Sequence, residues 1–494
     1  MIEEVQLRAT RTLYDYAEDY RLSAAVADLR HEARCLSETL EGRRVWMVNS
    51  TERGGGVAEM LPRVVSMLRE LGVDTRWLVM GTERPGFFPL TKRLHNLIHG
   101  SGDPGLTPAD KALYEATSRE VAAELEPFVR RGDVVVGHDP QPAGACAHLG
   151  ESAGVQTVWR CHIGLDERLP QTVAAWDFLR PVIEKYGHCV FSAPEYIPDF
   201  LSGNVSLIHP ALDPLSYKNR PLSIHKVSGI LTNVGLQGDG TKVVTPRFGA
   251  AALRLQGNGQ FRPVPADEEL GLMSRPTVTQ ISRWDRLKGF KPLLEAFALL
   301  KRGAARGEGG SERGRRTLAL VRLVLGGPEP AAVQDDPEAG DVLQELVDVY
   351  RRLEPEVQKD VVFLSLPMTS NRDNALIVNA LQRCSSVVVQ NSLREGFGLT
   401  VAEAMWKGVS VLGSRACGIR QQVRHEVDGY LHPDAESPSG LAKAIEHVLL
   451  DFRQRERLAE RGQRRVAEDF LVFRQVAGWL RVLSTSAQRA AQPR

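Results

Sequence analysis

The chain has no close cysteine pair. Its six cysteines stand at 35, 146, 161, 189, 384 and 417, with no CxxC and no serial His/Cys cluster, so no metal site is expected. In 494 residues that spacing argues against a disulfide scaffold and for reduced thiols in a cytoplasmic protein. No run of about twenty apolar residues occurs, and the first residues, MIEEVQLRATRTLYDYAEDY, carry acids where a secretion leader needs an apolar block. Neither a membrane span nor a cleaved leader is expected. Excess charge is missing too: 62 Lys and Arg face 61 Asp and Glu, a formal +1, so no global field draws the chain to nucleic acid or to an acidic membrane.

Alternating short apolar runs and helical segments are abundant. RVWMVN (44–49) reads as a buried strand, STERGGG (50–56) as a polar turn, VAEMLPRVVSMLRELG as a helix and RWLVM (76–80) as the next strand. DVVVGHDPQPAGACAHLG (133–150), VQTVWRCHIG, HCVFSAP (188–194) and VSLIHPALDP (205–214) repeat the pattern. After Pro276 it resumes through LALVRLVLGG (318–327), DVVFLSLP (360–367), SSVVVQNS and SVLGSRACGI. The expected fold is α/β, with two Rossmann-like domains built on parallel sheets. The expected boundaries are a helical lead-in at 1–43, an N-terminal domain at 44–220 and a connector with irregular edge elements at 221–275. A C-terminal domain at 276–455, bridging helices at 456–484 and a flexible tail at 485–494 complete the division. GAARGEGGSERGRR (303–316) reads as a mobile surface insertion.

Several loops after these strands carry chemistry. Gly54-Gly55-Gly56 can bring backbone amides against a diphosphate at a helix start, or be only a turn; the three glycines do not spell the G-x-G-x-x-G of dinucleotide dehydrogenases. In SRWDRLKG (282–289), Arg283 and Lys288 can clamp phosphate oxygens, the alternative being a solvated basic turn. REGFGLTVAE (394–403) places Glu395 in a glycine-rich loop, suited to sugar hydroxyls, and Glu403 in a following helix, suited to a ribose. Isolated glutamates more often sit on surfaces or support helices. His138, Asp139, Arg160 and His162 follow two N-terminal strands, at the sheet end where ligand loops gather. Asp139 suits an acceptor hydroxyl and His162 a sugar hydroxyl, while Arg160 can bind a polar acceptor or brace the loop. His138 is given a supporting role, and a lone histidine such as His162 is more often structural.

GGGVAE (54–59), GHDPQP (137–142), WRCHI (159–163), HPALDPLSYKN (209–219), SRWDRLKG and REGFGLTVAEAMWKG (394–408) together resemble the retaining, metal-independent glycosyltransferases of the sucrose-synthase-like family. The resemblance is nearest to the branch of trehalose glycosyltransferring synthases and trehalose phosphorylases. It implies the GT-B architecture, two Rossmann-like domains facing across a cleft with C-terminal bridging helices. It also implies a nucleoside-diphosphate glucose donor, ADP-glucose or UDP-glucose, no obligatory cofactor or metal, and free glucose or another small acceptor. Gly55, Gly56, Arg283 and Lys288 would meet the diphosphate, Glu403 the ribose, Glu395 and His162 the transferred glucose, and Asp139 the acceptor. The expected product is α,α-trehalose. Phosphorolysis of trehalose, a cyclitol or other sugar acceptor, and catalytically silent nucleotide or carbohydrate binding are the rival readings, and a homodimer is plausible from the resemblance.

Overall fold

The computed structural model describes residues 1–7, 11–52, 56–238, 248–265, 268–330 and 338–491. They form two compact units: Met1–Ala211 with the terminal segment from Leu471, and Leu212–Phe470.

Unit 1 is built on the apolar runs read above. Its strands are β1 (Ile2–Glu4), β2 (Val45–Asn49), β3 (Thr75–Met80), β4 (Val134–His138), β5 (Gln156–Arg160), β6 (His188–Phe191) and β7 (Val205–Leu207). They lie in the order β1-β3-β2-β4-β5-β6-β7. All neighbours are parallel except β1, which pairs antiparallel with β3. Every residue of β2, β4 and β6 is buried, because helices cover both faces and no solvent side is left to alternate. Buried tryptophans satisfy their indole N–H groups locally: Trp46 donates to Asp133 (3.0 Å) and Trp77 to Asn49 (2.7 Å). The chain runs from β2 outward to β3, then returns to place β4 on the other side of β2. The sheet's topological switch point is therefore between β2 and β4, where open α/β sheets bind ligands at their carboxyl ends.

Unit 2 contains β8 (Leu253–Leu255), β9 (Phe261–Arg262), β10 (Thr277–Ile281), β11 (Arg322–Pro328), β12 (Val361–Leu366), β13 (Val387–Gln390), β14 (Ser410–Gly413) and β15 (Tyr430–Leu431). Their order is β15-β14-β13-β10-β11-β12-β8-β9, parallel from β15 to β12, with β8 and β9 added antiparallel at one edge. Successive residues of β12 feed opposite cores. Val361 and Phe363 join a cluster with Trp284, Phe290 and Phe297, whereas Val362 and Leu364 join one with Ile281, Val324 and Ile377. The switch point is between β10 and β13.

Three sequence expectations change. The segment 303–316 is the end of one helix, Phe290–Ala305, and the start of another, Glu312–Leu320. Ser311 caps the second helix and Leu318 buries beneath it, so the strand expected from 318 begins only at Arg322. The connector contributes a helix, Ile224–Asn233, and the edge pair β8–β9 to unit 2. The tail expected to be flexible is helical through Ala491. Ala487 is buried there, and Arg489 bonds Gly187 O (2.9 Å) and Asn204 Oδ1 (2.6 Å).

Candidate functional site

In unit 1, β4 ends at His138 and Asp139 opens the helix Pro140–Ser152. Asp139 has φ 64° and ψ −173°, a conformation that glycine takes and other residues avoid at a cost of about 1–3 kcal/mol. Its surroundings hold it there. Its N–H donates to Arg160 O (2.8 Å), its carbonyl accepts from the Trp159 indole (3.1 Å), and its carboxylate Oδ1 accepts from the His162 amide (2.8 Å). His138 and His162 join through Nδ1 and Nε2 at 2.9 Å. Arg160 is 1% exposed and acts as a brace: Nη2 donates to Ser192 Oγ (3.0 Å) and Ile208 O (2.7 Å), tying the ends of β5, β6 and β7. The structure thus gathers His138, Asp139, Arg160 and His162 at one strand end. Gly55 lies outside the described residues, and Gly56 is the first residue of the helix Gly56–Glu70 after β2.

Burial pushes the Asp139 carboxyl up to about 6, against the opposing pull of the His162 amide and the Arg160 charge. Burial, assisted by Arg160, drives His138 down to about 3 and His162 well below its ordinary value. His188 and His432 are likewise lowered to about 4 by burial. A histidine lowered on folding contributes stability that is present above its unfolded pKa and lost as pH falls from about 6.5 toward the folded value. Asp139 opposes this, since its raised value relieves a penalty as pH falls below about 6. Lowered rings, His95, His138, His162, His188 and His432 among them, outnumber the raised Asp139 carboxyl, so the net change as pH falls from about 7.5 to about 5.5 is a loss of stability. Thermal unfolding measured between about pH 7.5 and pH 5.5 is expected to show a falling Tm; an unchanged Tm would show that these rings are not held neutral.

In unit 2, the loop after β10 carries Arg283 and Lys288, and the loop after β13 carries Glu395. Lys288 Nζ donates to Glu395 Oε2 at 2.8 Å, with side chains only 15% and 11% exposed. Residues 107 apart in sequence thereby form one charged pair at the switch point. The same oxygen accepts from Ser392 Oγ (2.9 Å) and Gln390 Nε2 (3.4 Å). Arg283 is half-exposed, with Asp285 at 4.0 Å, and its neighbour Trp284 is fully buried with its indole donating to Pro328 O (2.7 Å). That anchor leaves the guanidinium on the outer side of the loop.

Glycine geometry shapes the acidic loop. Gly398 has φ 76°, and a Cβ on it would lie 2.7 Å from Glu395 Cγ. It precedes the helix Leu399–Trp406 without a side-chain cap, leaving the early amides of that helix suited to an anion. Glu403 is buried one turn in, with Lys218 Nζ 3.6 Å from Oε1, while Lys407 Nζ donates to Glu403 O (3.0 Å) and Asn219 Oδ1 (3.2 Å). Burial lowers Lys407 to about 7, the Glu403 charge opposing it. Buried Gln422 clamps the loop, donating to Phe397 O and to Gly398 O (3.2 Å) and accepting from Ala402 N (2.9 Å). Gln390, Ser392, Lys407 and Gln422 escaped the sequence reading. The polar end of the apolar run VVVQNS was the one available signal, at the carboxyl end of a parallel strand.

Among the described residues no group of three or more His, Cys, Asp or Glu side chains is placed to hold a metal ion, and no helix is long and apolar enough to cross a membrane. A family profile described as "Trehalose synthase, N-terminal domain" matches residues 47–198, and "Glycosyl transferases group 1" matches 353–465. A trehalose synthase of Pyrococcus horikoshii is 32% identical over 454 residues, covering 91% of each chain, and one of Rubrobacter xylanophilus is 32% identical over 470 residues, covering 94% of this chain and 96% of that protein. The crystal structure of a UDP-forming α,α-trehalose-phosphate synthase from Burkholderia xenovorans has the same fold, with a TM-score of 0.61 at 15% identity, covering 91% of this chain and 100% of that one. The two Rossmann-like units are those of GT-B glycosyltransferases, and with that similarity running along nearly its whole length the chain belongs to the trehalose synthase family.

Proposed function

We propose that this chain transfers glucose from a nucleoside-diphosphate glucose, ADP-glucose or UDP-glucose, to the anomeric hydroxyl of free glucose, giving α,α-trehalose with retention. The observation that carries this reading is the Lys288–Glu395 pair at the switch point of unit 2. An ammonium has three N–H donors, and Glu395 engages one, so Lys288 can turn the others toward a departing diphosphate while holding the acid that meets the sugar hydroxyls. Arg283 and the amides at the start of Leu399–Trp406 add positive character for the same oxygens. As the C1–oxygen bond breaks, these groups stabilise the leaving charge, and the leaving phosphate takes the proton of the incoming hydroxyl on the same face. Unit 1 supplies His162 to the transferred glucose and Asp139 to the acceptor. Arg160, able in sequence to bind a polar acceptor or to brace the loop, braces strand ends through Nη2. The six free thiols support a cytoplasmic location, and a homodimer is the assembly we expect, to be checked by sedimentation.

Incubating the purified chain with ADP-, UDP- or GDP-glucose and either glucose or glucose 6-phosphate tests the reading, with product linkage read by NMR. Trehalose from free glucose is the expected outcome. Phosphate-dependent cleavage of trehalose with no product from any nucleotide sugar would replace it by the phosphorylase reaction.

A further inference from the structure

His138 and His162 meet at 2.9 Å with ring planes 14° apart and centroids 5.2 Å apart. A face-to-face stack does not combine so short an N···N contact with so long a centroid spacing. The rings lie end to end and nearly coplanar, the arrangement of a well-aligned N–H···N hydrogen bond. One nitrogen must therefore carry the proton and the other a lone pair.

The far nitrogen of His138 decides which. Its Nε2 lies 3.5 Å from the sulfur of Met47, on the neighbouring strand β2, and both residues are buried. A thioether can accept a hydrogen bond but has no proton to give. Nε2 of His138 therefore carries the proton, Nδ1 of His138 is the acceptor, and Nε2 of His162 is the donor. The reverse assignment would set a nitrogen lone pair against sulfur lone pairs in a dry site. The Arg160 charge and burial keep both rings neutral, so neither gains a second proton at neutral pH. His162 is only partly buried, and among the described residues no protein group bonds its Nδ1. Its main chain is pinned by the Asp139 carboxylate.

The geometry points to Met47 and His138 as positioning residues that fix the tautomer of His162, leaving Nδ1 as a lone pair that accepts a hydrogen bond from a substrate hydroxyl and cannot donate one. The substrate part rests on the proposed function; the tautomer does not. The consequence is chemical selectivity. A donor sugar whose facing hydroxyl is replaced by fluorine keeps acceptor character but loses its proton, so it suffers as much as the deoxy analogue. A donating histidine would tolerate fluorine better.

Two-bond proton–nitrogen correlation on the ligand-free, full-length protein with labelled histidine reads the tautomer directly, His162 being assigned with His162→Gln. The Nε2–H pattern for His162, unchanged from about pH 7.5 to pH 6, is expected; an Nδ1–H pattern overturns the inference. In Met47→Leu, where the sulfur acceptor is gone, the His162 signals should move toward a mixture of tautomers. The kcat should fall about two- to fivefold with little change in donor KM, as the competent fraction falls. A Met47→Leu protein with the wild-type pattern would also count against the inference. Lack of nucleotide-sugar turnover beside the expected pattern would remove the proposed function and leave the tautomer assignment standing.

Discussion

Lys288→Ala is expected to lower kcat/KM for the nucleotide sugar by about 10³-fold, equivalent to about 4 kcal/mol of transition-state stabilisation at 25 °C. The reasoning starts from burial. The pair is 15% and 11% exposed, so the ammonium acts where water screens little, and charge developing on the leaving diphosphate meets a donor already in place. The Ser392 hydroxyl and the Gln390 amide, which also bond Glu395, solvate the acid but carry no positive charge to replace that of Lys288. Glu395→Gln keeps shape while removing the charge, and an effect of about 10²-fold is expected, because a neutral amide holds both sugar hydroxyls and lysine less strongly. The double variant should lose less than the product of the two single losses, since the groups touch. Steady-state kinetics with thermal unfolding as a folding control measures this. Retention of more than a tenth of wild-type kcat/KM in folded Lys288→Ala would take the lysine out of the leaving-group site.

The second large effect is at a residue with no functional group. Gly418→Ala would drive its Cβ into the Phe397 Cα and amide nitrogen and the Gly396 carbonyl carbon, all main-chain atoms that no rotamer change can move aside. The Gly418 amide also donates to Glu395 O (3.0 Å), so displacement passes directly to the acid's own backbone. The expected results are about 1–3 kcal/mol of destabilisation from overpacking and about 10²-fold lower kcat/KM, the scale of loss produced by roughly 1 Å of misplacement. Gly340→Ala is the control. Its Cβ meets nothing within 4 Å at the start of a helix, and a gain of about 0.5–1 kcal/mol with unchanged kinetics is expected. Wild-type kinetics in Gly418→Ala would mean that the loop tolerates movement, and Glu395 would lose its claim to a fixed position.

Where strands are buried on both faces, the sequence announces them: VWMVN, VVVGH and VVFLSL are continuous apolar runs because the parallel sheets leave no wet side. The antiparallel edge elements were illegible for the same reason reversed. IEE at β1, LRL at β8 and FR at β9 pair along only part of the sheet and carry charged side chains without a clear period. The helix Glu312–Leu320 was hidden by a composition of arginine and glycine, its anchoring apolar contact being Leu318. At the site, residue types with obvious charge could be named in advance, and the structure brings Lys288 to Glu395 and His138 to His162. Gln422 could not be named. Its clamp consists of bonds to backbone groups of the preceding loop, and an isolated glutamine carries no mark of which main chain it will meet.

The order in which the chain is laid down has a bearing on how the two units mature. Leu212–Phe470 is continuous, so every strand of unit 2 has been synthesised before Leu471 is reached. Unit 1 is not continuous: the helix Val472–Ala491 packs on helices near the amino terminus and sets Trp479 against His138, at 6.0 Å between rings. A ribosome-bound chain can therefore complete unit 2 while unit 1 still lacks one wall, and the histidine pair gains its tryptophan neighbour only after Trp479 has been synthesised.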